Sequence, residues 1–99
     1  MDYEWSEAKR KENLRKHGID FVDVPEIFEG PMLTRIDTRQ EYGEDRWVGI
    51  GYIQGRTIVI CVTERDHGRT IRIISARKAL SHERKILEAK IANELGKSR

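Results

Sequence analysis

The sequence predicts an α+β domain whose four-stranded antiparallel meander sheet is packed by helices. Two observations predict it. Helix caps and helical spacing are confined to the first thirty residues and the last twenty, whereas strand-like runs fill the stretch from Met32 to Ala76. Those runs are joined by turns too short for a parallel crossover, so neighbouring strands must run antiparallel. The expected order is β-α-α-β-β-β-β-α in a single domain over residues 1–99.

Tyr3-Glu4-Trp5 alternates and suits a short edge strand. Ser6 is an N-cap residue and Glu7 follows in the first turn, so a helix opens here and runs to Lys16 or His17, with Gly18 as its left-handed stop. On that helix Asn13, Lys16 and His17 share one face by i, i+3, i+4 spacing. Phe21, Val24 and Phe28 repeat the helical period over a second, short helix, with Asp23 as its cap and Pro25 in its first turn. Gly30-Pro31 ends it.

"MLTRIDTR" is then strand-like and leads into the polar loop "QEYGED". "RWVGIGYI", "TIVICVTE" and "RTIRIISA" follow, separated by Gln54-Gly55 and by a turn at Asp66-His67-Gly68. The unbroken apolar run Ile58 to Val62 reads as a central strand covered on both faces. Ser81 opens a terminal helix on which Leu80, Arg84, Leu87, Ile91 and Leu95 form one stripe. An arginine on such a stripe must send its guanidinium to a carboxylate, a carbonyl or a ligand.

The 99 residues are 37% hydrophobic and 36% charged, with a net charge of +2. That balance hides a segregation. Residues 1–50 carry 8 Lys+Arg against 12 Asp+Glu, a net of −4, while residues 51–99 carry 11 against 5, a net of +6. Charge sorted by sign points to a polyanionic partner on the basic side, although solvated charge without a partner has the same appearance. No apolar run reaches the roughly 18 residues of a membrane span, and the N-terminus lacks a signal peptide's apolar core, so a soluble, cytoplasmic protein without a membrane partner is expected. Cys61 is the single cysteine, which excludes an internal disulfide and a cysteine-based metal cluster. Inside an apolar strand it reads as an inert buried thiol.

Trp5 ahead of the first helix, "NLRKHGIDF" at Asn13–Phe21, "TER" at Thr63–Arg65, "IRIISARKA" at Ile71–Ala79 and the pair Glu83-Arg84 stand in this order over nearly the whole chain. Together these words resemble the BrnT toxin family, whose members are similar in fold to RelE-type ribonucleases. The resemblance implies a toxin that cleaves RNA and arrests translation. It also implies a cognate BrnA-like antitoxin with a ribbon-helix-helix module, a heterotetramer of the two, and repression of their own promoter DNA through the antitoxin. Ser6 stands where members commonly carry Asp, and Ile86-Leu87 where a tyrosine is frequent.

Metal-free RNA cleavage needs a base for the 2′-hydroxyl proton, a cation for the phosphorane and an acid for the leaving 5′-oxygen. Arginine suits the second role, because its planar fork meets phosphate oxygens in pairs and keeps its charge. Arg72, Arg77 and Arg84 are therefore the catalytic candidates, with Arg65 at the adjoining strand end as an RNA contact. His17 is the acid–base candidate because its ordinary pKa lies near neutrality. Lys16 beside it suits phosphate binding, and Glu83 suits a base or an orienting partner for arginine.

Each residue also has a purely structural reading. Arg72 would be a solvated sheet residue, Arg77 a cap on strand-end carbonyls, Arg84 half of a buried ion pair with Glu83 or Glu64, and Arg65 a free turn residue. His17 would complement a helix's negative end and Lys16 would be an exposed base. His67 and His82 read as bystanders, Trp47 and Tyr52 as core or half-core. No GxGxxG, Walker or Gly-x-Ser-x-Gly pattern is present, and the three histidines lack i, i+4 pairing, so neither a cofactor nor a metal is expected. Three function classes accommodate the pattern: a ribonuclease toxin, a non-catalytic RNA- or ribosome-binding module, and a structural partner of a DNA-binding repressor.

Overall fold

The computed structural model describes residues 1–38 and 43–97. The element order is β1 (Asp2–Glu4), α1 (Glu7–His17), a 3₁₀ helix (Phe21–Glu29), β2 (Leu33–Ile36), β3 (Trp47–Ile53), β4 (Arg56–Arg65), β5 (Thr70–Lys78) and α2 (Ser81–Lys97). The sheet is not a four-stranded antiparallel meander. It has five strands in the order β1-β5-β4-β3-β2, and it is mixed, because β1 pairs parallel with β5 at Asp2↔Thr70, Tyr3↔Ile71 and Glu4↔Arg72. The other three pairings are antiparallel, so the meander is real and β1 is added to its edge by a long-range pairing.

Local chemistry explains the elements. Ser6 Oγ accepts from the Lys9 N–H at 3.4 Å, and Gly18 closes α1 at φ 71° with its N–H on Leu14 O. The second helix is 3₁₀ and is capped by Asp20, not Asp23: the Asp20 carboxylate accepts from Val22 N–H at 3.1 Å. Pro25 inside it and β-branched neighbours suit tight three-residue turns, and its buried side chains Phe21, Val24 and Ile27 recur every third position. Gln54 and Gly55, both at positive φ, make the two-residue turn between β3 and β4. Of the loop "QEYGED", residues 40–42 lie outside the described residues.

The core lies on one face of the sheet. Ile58, Ile60 and Val62 of β4 and Ile71, Ile73 and Ala76 of β5 are buried there under Ile19, Phe21, Val24 and Ile27. One extra residue, Ile74, bulges β5 opposite Cys61/Val62, so that Ser75 and Arg77 join Arg72 on the other face.

That other face is covered only in part by α2. Leu87 is fully buried and Glu83 and Ile91 are half-buried, whereas Leu80, Arg84 and Leu95 are exposed. The expected stripe holds at Leu87 and Ile91, but Glu83 rather than Arg84 joins them toward the protein, and Arg84 faces solvent. Among the described residues no helix is long and apolar enough to cross a membrane.

Candidate functional site

β5 delivers Arg77 onto the open face opposite Val59 of β4. The chain then turns into α2, and the third helical residue, Glu83, comes back to meet it. Arg77 donates to both Glu83 oxygens, Nη1 at 2.8 Å and Nη2 at 2.9 Å. Glu83 Oε1 also accepts the Leu80 N–H at 2.7 Å, as an N3 glutamate does in a capping box. These bonds, the Arg77 pair first, hold the Glu83 carboxyl far below its ordinary value, at about 2. The Arg77 guanidinium thus favours the ionised form of Glu83.

On the sheet's other side of Arg77 stands α1. The β5 edge beyond Arg72 has no strand beside it, since β1 ends at Glu4. Asn13 takes that place. Its amide donates to Ala76 O at 2.8 Å and to Ile19 O at 2.9 Å, and its carbonyl accepts the Ala76 N–H at 3.1 Å. A side-chain amide carries the same donor and acceptor as a peptide, so Asn13 pairs with the strand as one residue of a neighbour would. Lys16 and His17 follow one turn further along α1, toward its C-terminal end. Both are exposed. Lys16 Nζ lies 3.8 Å from Glu12, and among the described residues His17 has no ion pair.

Two adjoining hollows line the open face next to Arg77. The narrow one, about 70 Å³, is formed by Arg35, Val48, Val59, Cys61, Ser75 and Arg77. The wider one, about 290 Å³, lies between β2 and α2 and shares Arg35 and Val48 with the first. Arg35 projects onto this face because it pairs with Val48 across β2 and β3.

The expected arginine cluster is not formed. Arg72 shares the face with Arg77 but lies five residues back along β5, about 13–16 Å at strand rise. There it is 3.7 Å from Glu4 Oε1, which Arg65 also meets at 3.2 Å. Arg65 reaches Glu44 as well, at 3.8 Å. Arg84 is on another surface, paired with Glu88 at 3.6 Å and with more than half of its side chain in solvent. Arg84 follows Glu83 by about 100° round the helix, so the face that Glu83 selects by binding Arg77 leaves Arg84 in solvent.

Arg35 and His82 are the residues that the sequence concealed. His82 follows Ser81 at the start of α2, and its place in the wider hollow depends on how that helix docks. For Arg35 the signal was present in the alternation of Leu33 and Arg35, and pairing β2 with β3 puts both on the open face. Cys61 is half-buried on the hollow's floor rather than sealed in the core. Among the described residues no three His, Cys, Asp or Glu side chains gather as metal ligands.

No curated protein matches this chain. A family model does: that of the ribonuclease toxin, BrnT, of type II toxin-antitoxin systems, which aligns with residues 5–83.

Proposed function

This chain belongs to the BrnT family of ribonuclease toxins of type II toxin-antitoxin systems, and from that premise we propose that it is a metal-independent endoribonuclease with its catalytic centre at the exit of β5. Arg77 stabilises the phosphorane by its permanent positive charge and by guanidinium N–H groups other than the two that bond Glu83. His17 moves the proton, since an imidazole can both accept and donate one. Lys16 adds a second cation for the phosphate. The 2′-oxygen attacks the adjacent phosphorus as its proton is removed, the bond to the 5′-oxygen breaks, and that oxygen leaves with a proton. The products are a 2′,3′-cyclic phosphate and a 5′-hydroxyl. Glu83 orients Arg77 and takes no proton. Arg72 and Arg65 contact the RNA backbone farther along the same face.

The observation that supports this reading is the Asn13–Ala76 pairing, which ties α1, the helix that carries Lys16 and His17, to the strand that carries Arg77. The element order and the helix-covered sheet support a RelE-like fold. Membership of the family brings an antitoxin partner. We take it to be a BrnA-like ribbon-helix-helix protein that assembles with the toxin as a heterotetramer, represses their promoter DNA and, when lost, leaves the toxin to arrest translation in the cytoplasm.

The test is degradation of purified RNA in the presence of EDTA, with the ends of the fragments identified. Cyclic phosphate ends without added metal support the reading. A strict requirement for a divalent ion removes it, and RNA binding with no cleavage would leave a docking module instead.

A further inference from the structure

The wider hollow on the open face has the make-up of a base-binding pocket. Its walls are the aliphatic side chains of Leu33, Val48, Ile50 and Ile86, and its polar groups include Arg35, His82 and Glu83. A volume of about 290 Å³ is at the small end of ligand pockets, which run from roughly 300 to 1,000 Å³. Imidazole and guanidinium planes are among the side-chain surfaces on which unstacked RNA bases lie.

The position of the hollow matters as much as its lining. Glu83 forms part of its wall and is bonded to Arg77 at 2.8 and 2.9 Å, so the pocket begins one carboxylate away from the phosphate-binding guanidinium. Arg35 borders both the pocket and the narrow cleft that contains Arg77. A ligand that spans the two would place an anion beside a largely apolar group. A nucleotide of single-stranded RNA has that composition. Duplex RNA does not, because its bases are stacked and out of reach.

We propose that the hollow between β2 and the first turns of α2, walled by Val48, Ile50 and Ile86 and rimmed by Arg35 and His82, receives one unpaired RNA base adjacent to the phosphate held by Arg77. The inference rests on reading the open face as an RNA site, and it adds that cleavage depends on the identity or presence of that base. Ile86 is 54% exposed, so a bound base would cover an apolar side chain that is now in water.

The probe is a short single-stranded RNA carrying 2-aminopurine, with 2′-O-methyl sugars so that it binds without being cut. Wild-type protein is expected to quench the fluorophore and to bind an abasic version about tenfold more weakly. Ile86→Gln and His82→Ala are each expected to lose the quench and about tenfold in affinity for the parent RNA, with little further loss on the abasic strand. Equal binding of parent and abasic RNA by the wild type would overturn the pocket. So would variants that bind RNA normally but escape an antitoxin, which would make the hollow a protein interface.

Cleavage of unmodified RNA, scored separately, keeps the two ideas apart. Cleavage with no dependence on the base removes the pocket and spares the ribonuclease. Base-dependent binding with no cleavage supports the pocket and removes the ribonuclease.

Discussion

Arg77 and Glu83 face each other through two hydrogen bonds of 2.8 and 2.9 Å, one residue near the end of β5 and the other in the first turn of α2. The pair ties the last strand to the last helix. Its stabilisation follows from a carboxyl whose folded pKa, about 2, lies below its ordinary 4.5. Such a group contributes fully above the unfolded pKa and loses its contribution as pH falls from about 4.5 toward 2. Arg77 is 40% exposed, so screening cuts a nominal 3 kcal/mol to about 1–2 kcal/mol. Glu83→Gln should lower stability by that amount at pH 7, and denaturant midpoints of the two proteins should converge only as the pH falls toward about 2.

Asn13→Ala should be more severe. It strips the side-chain partners from Ile19 O and from both polar groups of Ala76 in a buried place. Unsatisfied buried groups cost about 1–3 kcal/mol each, so a loss of at least about 3 kcal/mol is expected for the three groups in urea unfolding. Asn13→Asp should not rescue it, since a carboxylate can accept the Ala76 N–H but cannot donate to Ala76 O.

Gly51 tests the packing of the core face. A Cβ there would meet Ile27 Cγ2 at 2.6 Å and Pro31 O at 3.4 Å. Overpacking of this kind costs about 1–3 kcal/mol, so Gly51→Ala should lower the thermal midpoint measurably while leaving the open face unchanged.

Arg84→Ala separates the sequence's expectation from the structure. The side chain is exposed and its pairing with Glu88 is an i, i+4 surface contact. Loss of such a pair changes stability by about 0.5 kcal/mol or less. The rate of RNA cleavage by Arg84→Ala should match that of the parent; a large fall would return Arg84 to the site.

What the sequence made legible was local. Ser6 and Gly18 delimit α1 by cap chemistry, and Gln54-Gly55 announces its turn, so those elements stand where expected. The parallel β1–β5 pairing joins residues nearly seventy positions apart, and no cap or period encodes it. Arg77 was recognisable as a cation at a strand end. The sequence reading offers Glu83 as a base, as an orienting group for an unspecified arginine or as the ion-pair partner of Arg84, because the Arg77–Glu83 contact depends on the turn between β5 and α2. That same contact sets the rotation of α2, which is why Leu80 and Arg84 proved exposed and His82 entered the groove. The bulge at Ile74 was equally hidden, yet it decides that Ser75 and Arg77 face the hollow.

The central claim is that Arg77 acts on the reacting phosphate rather than merely holding RNA. Its most direct measurement is the single-turnover cleavage rate of Arg77→Ala beside its affinity for uncleavable RNA. Removing a group that stabilises transition-state charge lowers the rate by about 10²–10³-fold, and here the affinity should change by much less. A variant whose rate is unchanged, or whose rate and affinity fall together by the same factor, would contradict a catalytic centre at the exit of β5.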